Sequence, residues 1–372
     1  MPFIQRLRSL DPTIIALTVA LTIFGLLMLM SASGPIAVQR TGDALYYVAR
    51  QLKNGVLPGA FLFLFFSFVD YRKWRSVAFL ALIVSIGLLI TVFLPGIGQM
   101  RGGSRSWVDF GGFAFQPSEF VKLTFLVYLS AWLAGRQGTD AHNPQTGLAP
   151  FLLALGAIIL LLIMQPDTGS MAVIVGMSLL LYLISGAPLS WFIGLCGAGV
   201  GMVALLIWKS PYRAARFMTF MHPEIDPQGI GYHINQAVLA IGSGGFWGLG
   251  YGHSRQKYLY LPEAESDSII AVMGEELGLI GITVFLALMG YLVWRCFKIA
   301  RESADPFGAY LAAGVGSWIG VQTFLNIGSM IGIMPMTGVT LPFFSHGGSS
   351  MVILLAAMGL VAGIPRAGKR RL

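Results

Sequence analysis

Apolar runs recur along the chain at lengths that suit a bilayer. Ten stretches stand out, at about 13–32, 54–70, 76–95, 117–135, 147–165, 168–186, 189–208, 268–296, 306–327 and 349–365. Each approaches the roughly 17–25 residues that a helix needs to cross hydrocarbon, allowing for tilt or polar ends. The apolar/polar alternation of a membrane barrel is absent. Backbone groups in lipid must be satisfied locally, so the runs predict helices. The expected fold is an all-α polytopic membrane protein of about ten transmembrane helices, with one large extracytoplasmic loop, about 209–267, between helices 7 and 8. The eighth run is too long for a simple span, so part of it is expected in the interface. No soluble domain or tandem repeat interrupts the pattern, and residues 1–372 read as one domain.

Composition agrees with the pattern. The chain is 56% hydrophobic and 11% charged, against about 25% charged in soluble domains, and its mean hydropathy is +0.75. A net charge of +8 would point to nucleic acid in a soluble protein. Here Lys and Arg gather in short loops, and nothing resembles a nucleic-acid motif. With the N-terminus inside, the inner segments hold thirteen Lys and Arg and the short outer loops five. That asymmetry predicts a cytoplasmic-membrane protein with both termini cytoplasmic. Arg6, Arg8, an apolar run and "SAS" at 31–33 imitate a signal peptide, but Ile14–Met30 is long for one and reads as a retained first helix. The basic end "RAGKRRL" suits anionic headgroups. Cys196 and Cys296 share no metal or redox spacing and read as packing residues.

With this orientation three polar segments meet on the external side: 101–123, 257–278 and 340–350. The second holds Glu263, Glu265, Asp267, Glu275 and Glu276, five of the sixteen acidic residues of the chain. Asp267 or Ser266 at the start of span 8 reads as a helix cap, and the glutamates as a solvated face. A cap needs one acid, however, and a carboxylate at the membrane boundary can serve as a general base. Neighbouring carboxylates raise proton affinity toward a useful range. In "QPSEFVKL", Glu119 and Lys122 share a helix face; they read either as a neutralising ion pair or as the lining of a polar cavity. Asp167 in "QPDTGS" reads as the cap of span 6, which is compatible with facing a cavity. The external cations Arg105, Arg213, Arg216, Arg255 and Lys257 suit a phosphate or pyrophosphate beside the membrane, and lipid phosphate would explain them as well. "GLGYG" follows no strand, and the five histidines form no metal motif. Three functions stay open on these grounds: an enzyme acting on a lipid-linked substrate at the outer leaflet, a transporter, or a scaffold. Acids gathered toward one face favour the enzyme.

The stretch "DPQGIGYHINQAVLAIGSGGFWGLGYGHSRQKYLYLPEAESDSIIAVMGEELGLIG" (226–281) resembles the SEDS family, the shape, elongation, division and sporulation proteins. "FQPSEFVKL", "QPDTGS" and "LPFFSHGGSS" match further signatures in order, and the resemblance covers essentially all ten spans. The loop is more similar to the division branch than to the elongation branch. Two places depart from the family pattern. Glu265-Ser266-Asp267-Ser268 stands where His-Thr-Asp-Phe is common, and His346 falls within a Ser-Tyr-Gly-Gly signature.

The resemblance implies a peptidoglycan glycosyltransferase that polymerises lipid II for septal wall synthesis. It implies work with a class B penicillin-binding protein and other divisome proteins, and a divalent cation, Mg²⁺ or Mn²⁺, whose ligands the sequence does not identify. The family's essential loop aspartate maps onto Asp267, as the catalytic base. Glu119, Lys122 and Asp167 map onto its other functional positions, and with Arg105, Arg213, Arg216 and Lys257 form the expected substrate-binding set. Glu263, Glu275 and Glu276 are expected to position the loop. An elongation-type polymerase and a lipid II flippase are the alternatives.

Overall fold

A computed structural model describes residues 10–101, 104–110, 113–136, 143–209, 211–222 and 229–367. Helix covers the central part of every predicted apolar run. In order these are α1 (Pro12–Thr41), α2 (Tyr46–Gln51), α3 (Leu57–Phe68), α4 (Arg72–Ser76), α5 (Ala78–Thr91), α6 (Pro117–Ala134), α7 (Ala149–Met164), α8 (Thr168–Ile184), α9 (Leu189–Lys209), α10 (Pro211–Met221), α11 (Ile230–Ser243), α12 (Ile269–Glu302), α13 (Pro306–Met330) and α14 (Gly348–Gly363). Among the described residues, four helical stretches, starting at Pro12, Pro144, Leu189 and Ile269, are long and apolar enough to cross a membrane. Large apolar side chains lie open on the outside, among them Leu153, Leu160, Val200 and Phe79. Lipid, not a protein core, is the solvent that accommodates such a surface.

Helix starts follow local chemistry. Asp11 caps α1 through Ile14 N at 3.0 Å and also pairs with Arg295 of α12. Pro117 opens α6, a position where a missing N–H costs nothing. The inner layer is α6, α13 and α14, whose side chains are largely buried. α13 packs on α12, α8 and α6, and α14 packs on α3.

The long eighth run is interrupted once. Gly278, at φ 66° and ψ −166°, breaks α12 into a short buried segment and a long span. The "GSGGFWGLG" segment supplies the freed backbone groups with partners. Leu249 N and Gly250 N donate to the carbonyls of Glu275 and Glu276 (2.9 and 3.0 Å), and Leu279 N donates to Gly245 O at 2.9 Å. A Cβ at Gly278 would stand 2.4 Å from Gly248 N, so glycine is required for space as well as for its positive φ.

The described residues between spans 3 and 4 form something the apolar pattern did not announce: an antiparallel sheet of β1 (Gly98–Arg101), β2 (Ser104–Phe110) and β3 (Phe113–Phe115), in that order. Val108 pairs with both Gly98 and Phe115. Ser104 Oγ donates to Gln165 O at 2.7 Å, tying the sheet to the end of α7.

Candidate functional site

The acidic loop ahead of α12 is held by its backbone. Three successive carbonyls are each taken by a donor from elsewhere in the bundle. His346 N reaches Glu265 O (2.8 Å), Ser345 Oγ reaches Ser266 O (2.7 Å), and Asn326 Nδ2 of α13 reaches Asp267 O (2.9 Å). Asn326 also binds Val339 O at 2.7 Å, so one buried amide clamps both walls of the site. Gln322, one turn earlier, does the same for Thr340 O at 2.8 Å.

Between these walls lies a polar cavity of about 640 Å³. Asp267 and Ser266 line it together with Asp167, Gln116, Ser350 and the strand residues Ser104, Ser106 and Trp107. The residue that precedes α12 is Ser268, and no side chain caps that helix. Asp267 is therefore not the helix cap. Its Oδ1 accepts from Ser266 Oγ at 3.1 Å.

Asp167 has both functions that its position allowed. Its Oδ1 caps α8 through Ser170 N at 3.0 Å. Its Oδ2 accepts from Ser118 Oγ (2.8 Å) and Gln116 Nε2 (3.2 Å) on the cavity wall.

Glu263 also lines the cavity, at φ 49°, an uncommon conformation for a residue with a Cβ. Burial raises its proton affinity, and the charges of Glu265 and Asp267 raise it further, against Arg40. Arg40 is the only Lys or Arg among the described lining residues. It lies 3.7 Å from Glu265 and donates to Tyr47 Oη at 2.8 Å. Two histidines, His233 and His346, also face the cavity. Burial lowers each to about 4, with Arg50 adding to the effect at His346, so both are neutral near pH 7. Arg40, Asn326 and Gln322 carried no sequence signal, because each acts across a fold contact rather than within a motif, and His233 stood unmarked within the 226–281 stretch.

Several expected substrate contacts lie elsewhere. Glu119 and Lys122 are not on the described cavity wall. They form a buried ion pair at 2.7 Å, and Lys122 also donates to Gln322 Oε1 at 3.0 Å. Two opposite charges at spacing three neutralise each other in a low dielectric, while Glu119 Oε2 is buried without a partner among the described residues. Lys257 is likewise committed inside. Its Nζ donates to Glu276 Oε1, Ser31 Oγ and Gly252 O, each at 2.8 Å. Glu275 accepts from Ser254 Oγ (2.5 Å), Arg255 N (2.9 Å) and Gln256 N (3.2 Å). Glu275 and Glu276 thus latch the 252–257 loop. Arg105 is absent from the described cavity lining, and its Nε lies near Gly98. Arg213 and Arg216 fall on α10, and their side chains lie outside the described residues. The last residues of the basic end, 368–372, do so as well. Among the described residues, no three of His, Cys, Asp and Glu converge as metal ligands.

The comparisons are specific. A family model described as "Cell cycle protein", spanning FtsW, RodA and SpoVE, matches residues 12–370. Stage V sporulation protein E of Bacillus subtilis is 37% identical over 358 residues, 96% of this chain and 97% of that protein. A probable peptidoglycan glycosyltransferase FtsW of Thioalkalivibrio sulfidiphilus is 41% identical over 367 residues, 98% of this chain and 91% of the relative. Among solved structures, a chain of a peptidoglycan synthase complex that coordinates polymerization and crosslinking matches with a TM-score of 0.78 and 26% identity, covering 96% of this chain and 98% of that one. The rod shape determining protein RodA of Thermus thermophilus matches at 0.69 and 27%, covering 96% and 97%.

Proposed function

Because the chain belongs to the cell cycle protein family of FtsW, RodA and SpoVE, we propose that it is a peptidoglycan glycosyltransferase of the division type. It polymerises lipid II into β-1,4 glycan at the outer face of the cytoplasmic membrane. The observation that supports this most directly is the placement of Asp267. It lines a polar cavity on a loop whose backbone is fixed by three donors, and it does not cap the helix that follows.

In this reading Asp267 takes the proton of an acceptor sugar 4-hydroxyl as that oxygen attacks the anomeric carbon of the donor. The C–O bond to undecaprenyl pyrophosphate breaks, and an α-linked donor gives a β-linked product by inversion. The fixed loop carbonyls keep the carboxylate from drifting, and small displacements are costly to rate. Arg40 is the described cation placed to meet the pyrophosphate charge. A divalent cation would be held between the pyrophosphate and Glu263, the cavity carboxylate beside Asp267. Its charge would offset that of the leaving group. Asp167, with Gln116, lines the cavity that Asp267 also lines, and Ser118 holds the Asp167 carboxylate. Glu119 and Lys122 hold α6 to α13 below it. A class B penicillin-binding protein, the crosslinking partner, and other divisome proteins complete the assembly, and both termini face the cytoplasm.

The test is glycan formation from purified lipid II, with the wild type and Asp267→Asn each bound to the cognate penicillin-binding protein. Polymer from the wild type and none from a folded, partner-bound variant is the expected result. Equal polymer from both would move the base elsewhere. Transfer of labelled lipid II across a bilayer with no polymer from either would make the protein a transporter.

A further inference from the structure

His233 is in α11, within the 226–281 stretch, and its ring lines the same cavity as Asp267. Its Nε2 lies 2.5 Å from Ser268 Oγ, and that hydroxyl lies 2.9 Å from Pro262 O. A carbonyl only accepts, and a serine has one proton to give. The Ser268 proton therefore goes to Pro262 O, and Nε2–H must donate to Ser268. This fixes the tautomer and leaves Nδ1 as a bare acceptor. Ser268 is wholly buried, so both contacts are needed to satisfy it. Nδ1 has no partner among the described residues, and it is not among the enclosed unpartnered atoms. The open space that His233 lines is the reaction cavity. Burial keeps the ring neutral, which preserves the lone pair.

We propose that His233 is a further substrate-contacting residue, whose Nδ1 accepts a hydrogen bond from an O–H or N–H of the lipid-linked sugar beside Asp267. The identity of that sugar rests on the glycosyltransferase reading; the presence of an acceptor in the cavity does not. No proton is transferred to His233 in this account. The residue orients the substrate, and Asp267 acts on it. Ser268, by holding Nε2, turns Nδ1 toward the cavity and is a positioning residue.

Two substitutions separate a contact from mere packing. In His233→Gln the amide nitrogen replaces the donor to Ser268 and the amide oxygen replaces the cavity acceptor. His233→Leu fills similar space with neither. The full-length protein with its penicillin-binding protein is assayed for kcat and KM with lipid II, and thermal unfolding checks that each variant is folded. His233→Leu is expected to raise KM about fivefold to tenfold, the worth of one hydrogen bond, with kcat little changed. His233→Gln is expected to stay within about twofold of wild type. Where the Leu variant does not fold, Ser268→Ala gives the same comparison, with an expected rise in KM of about threefold as the ring turns free. An unchanged KM in a folded Leu or Ala variant would overturn the proposal. So would a Gln variant as weak as Leu, or a loss confined to kcat. Equilibrium binding of labelled lipid II, measured in an Asp267→Asn background, separates the two hypotheses. A wild type that makes no polymer refutes the glycosyltransferase reading, while the same order of Leu and Gln affinities still supports the contact. Absence of lipid II binding would overturn both.

Discussion

The five acids of the 263–276 stretch divide into two groups that share a sequence neighbourhood and little else. Glu275 and Glu276 point into the fold, where they take backbone and side-chain donors from the 252–257 loop and the ammonium of Lys257. Glu263, Glu265 and Asp267 stand around the cavity side, with one partly exposed arginine, Arg40, nearby. The first group spends its charge inside the fold on the 252–257 loop, and the second presents Glu263 and Asp267 to the polar cavity. A carboxylate buried among loop donors fixes a loop. One that faces an open cavity can meet a proton or a cation. The contrast separates structure from chemistry within fourteen residues.

The largest effect should come from breaking the first group. Lys257→Met leaves Glu276 charged and buried without its cation, and should cost about 3–5 kcal/mol of stability. Thermal unfolding in a bilayer mimetic would show it, and Glu276→Gln in the same chain should recover much of the loss. Glu275→Gln is milder. It keeps an oxygen for one donor but gives up the charge and the second acceptor, for about 1–3 kcal/mol. Neither should alter the chemistry of the molecules that remain folded.

Asn326→Ala attacks the second group from behind. It frees the Asp267 and Val339 carbonyls together. The expected result is a fall in kcat of about tenfold with KM nearly unchanged, because the loop still binds but wanders. Steady-state glycan formation at several lipid II concentrations would read both.

The smallest and most diagnostic effect is at Glu263. Its carboxyl holds its proton more tightly in the folded protein than in the unfolded chain. Its contribution to stability is therefore fully present below the ordinary carboxylate range and is lost as pH rises through the raised folded value. Glu263→Gln, which resembles the protonated form, should gain stability over wild type near neutral pH and show no gain in acid. Unfolding midpoints measured across that range would check the sign.

Much of this was legible before any coordinates. The apolar runs had a single sensible outcome in lipid, and the excess length of the eighth run marked it as more than a simple span, without locating the break that Gly278 makes. Asp167 could be read as both cap and cavity residue because a cap leaves one carboxylate oxygen free. The sheet at 98–115 was hidden because its strands are short and lie in a polar segment between spans. Lys257 looked like a free cation because its partners Ser31 and Glu276 come from different helices. Asn326 and Arg40 had no pattern at all, and His233 stood unmarked within the 226–281 stretch. A hydrogen bond from Asn326 to Asp267 spans 59 residues, and local spacing carries no trace of such a contact.

The account stands on the separation of the two acidic groups, and one paired measurement tests it. Asp267→Asn and Glu275→Gln would be carried through the same preparation, with the partner bound, and scored for unfolding temperature and for glycan formed per folded molecule. Asp267→Asn should unfold with the wild type and make no glycan, while Glu275→Gln should unfold earlier and polymerise normally per folded molecule. An Asp267→Asn protein that still polymerises, or one whose activity falls only in step with its stability, would contradict the assignment of the base.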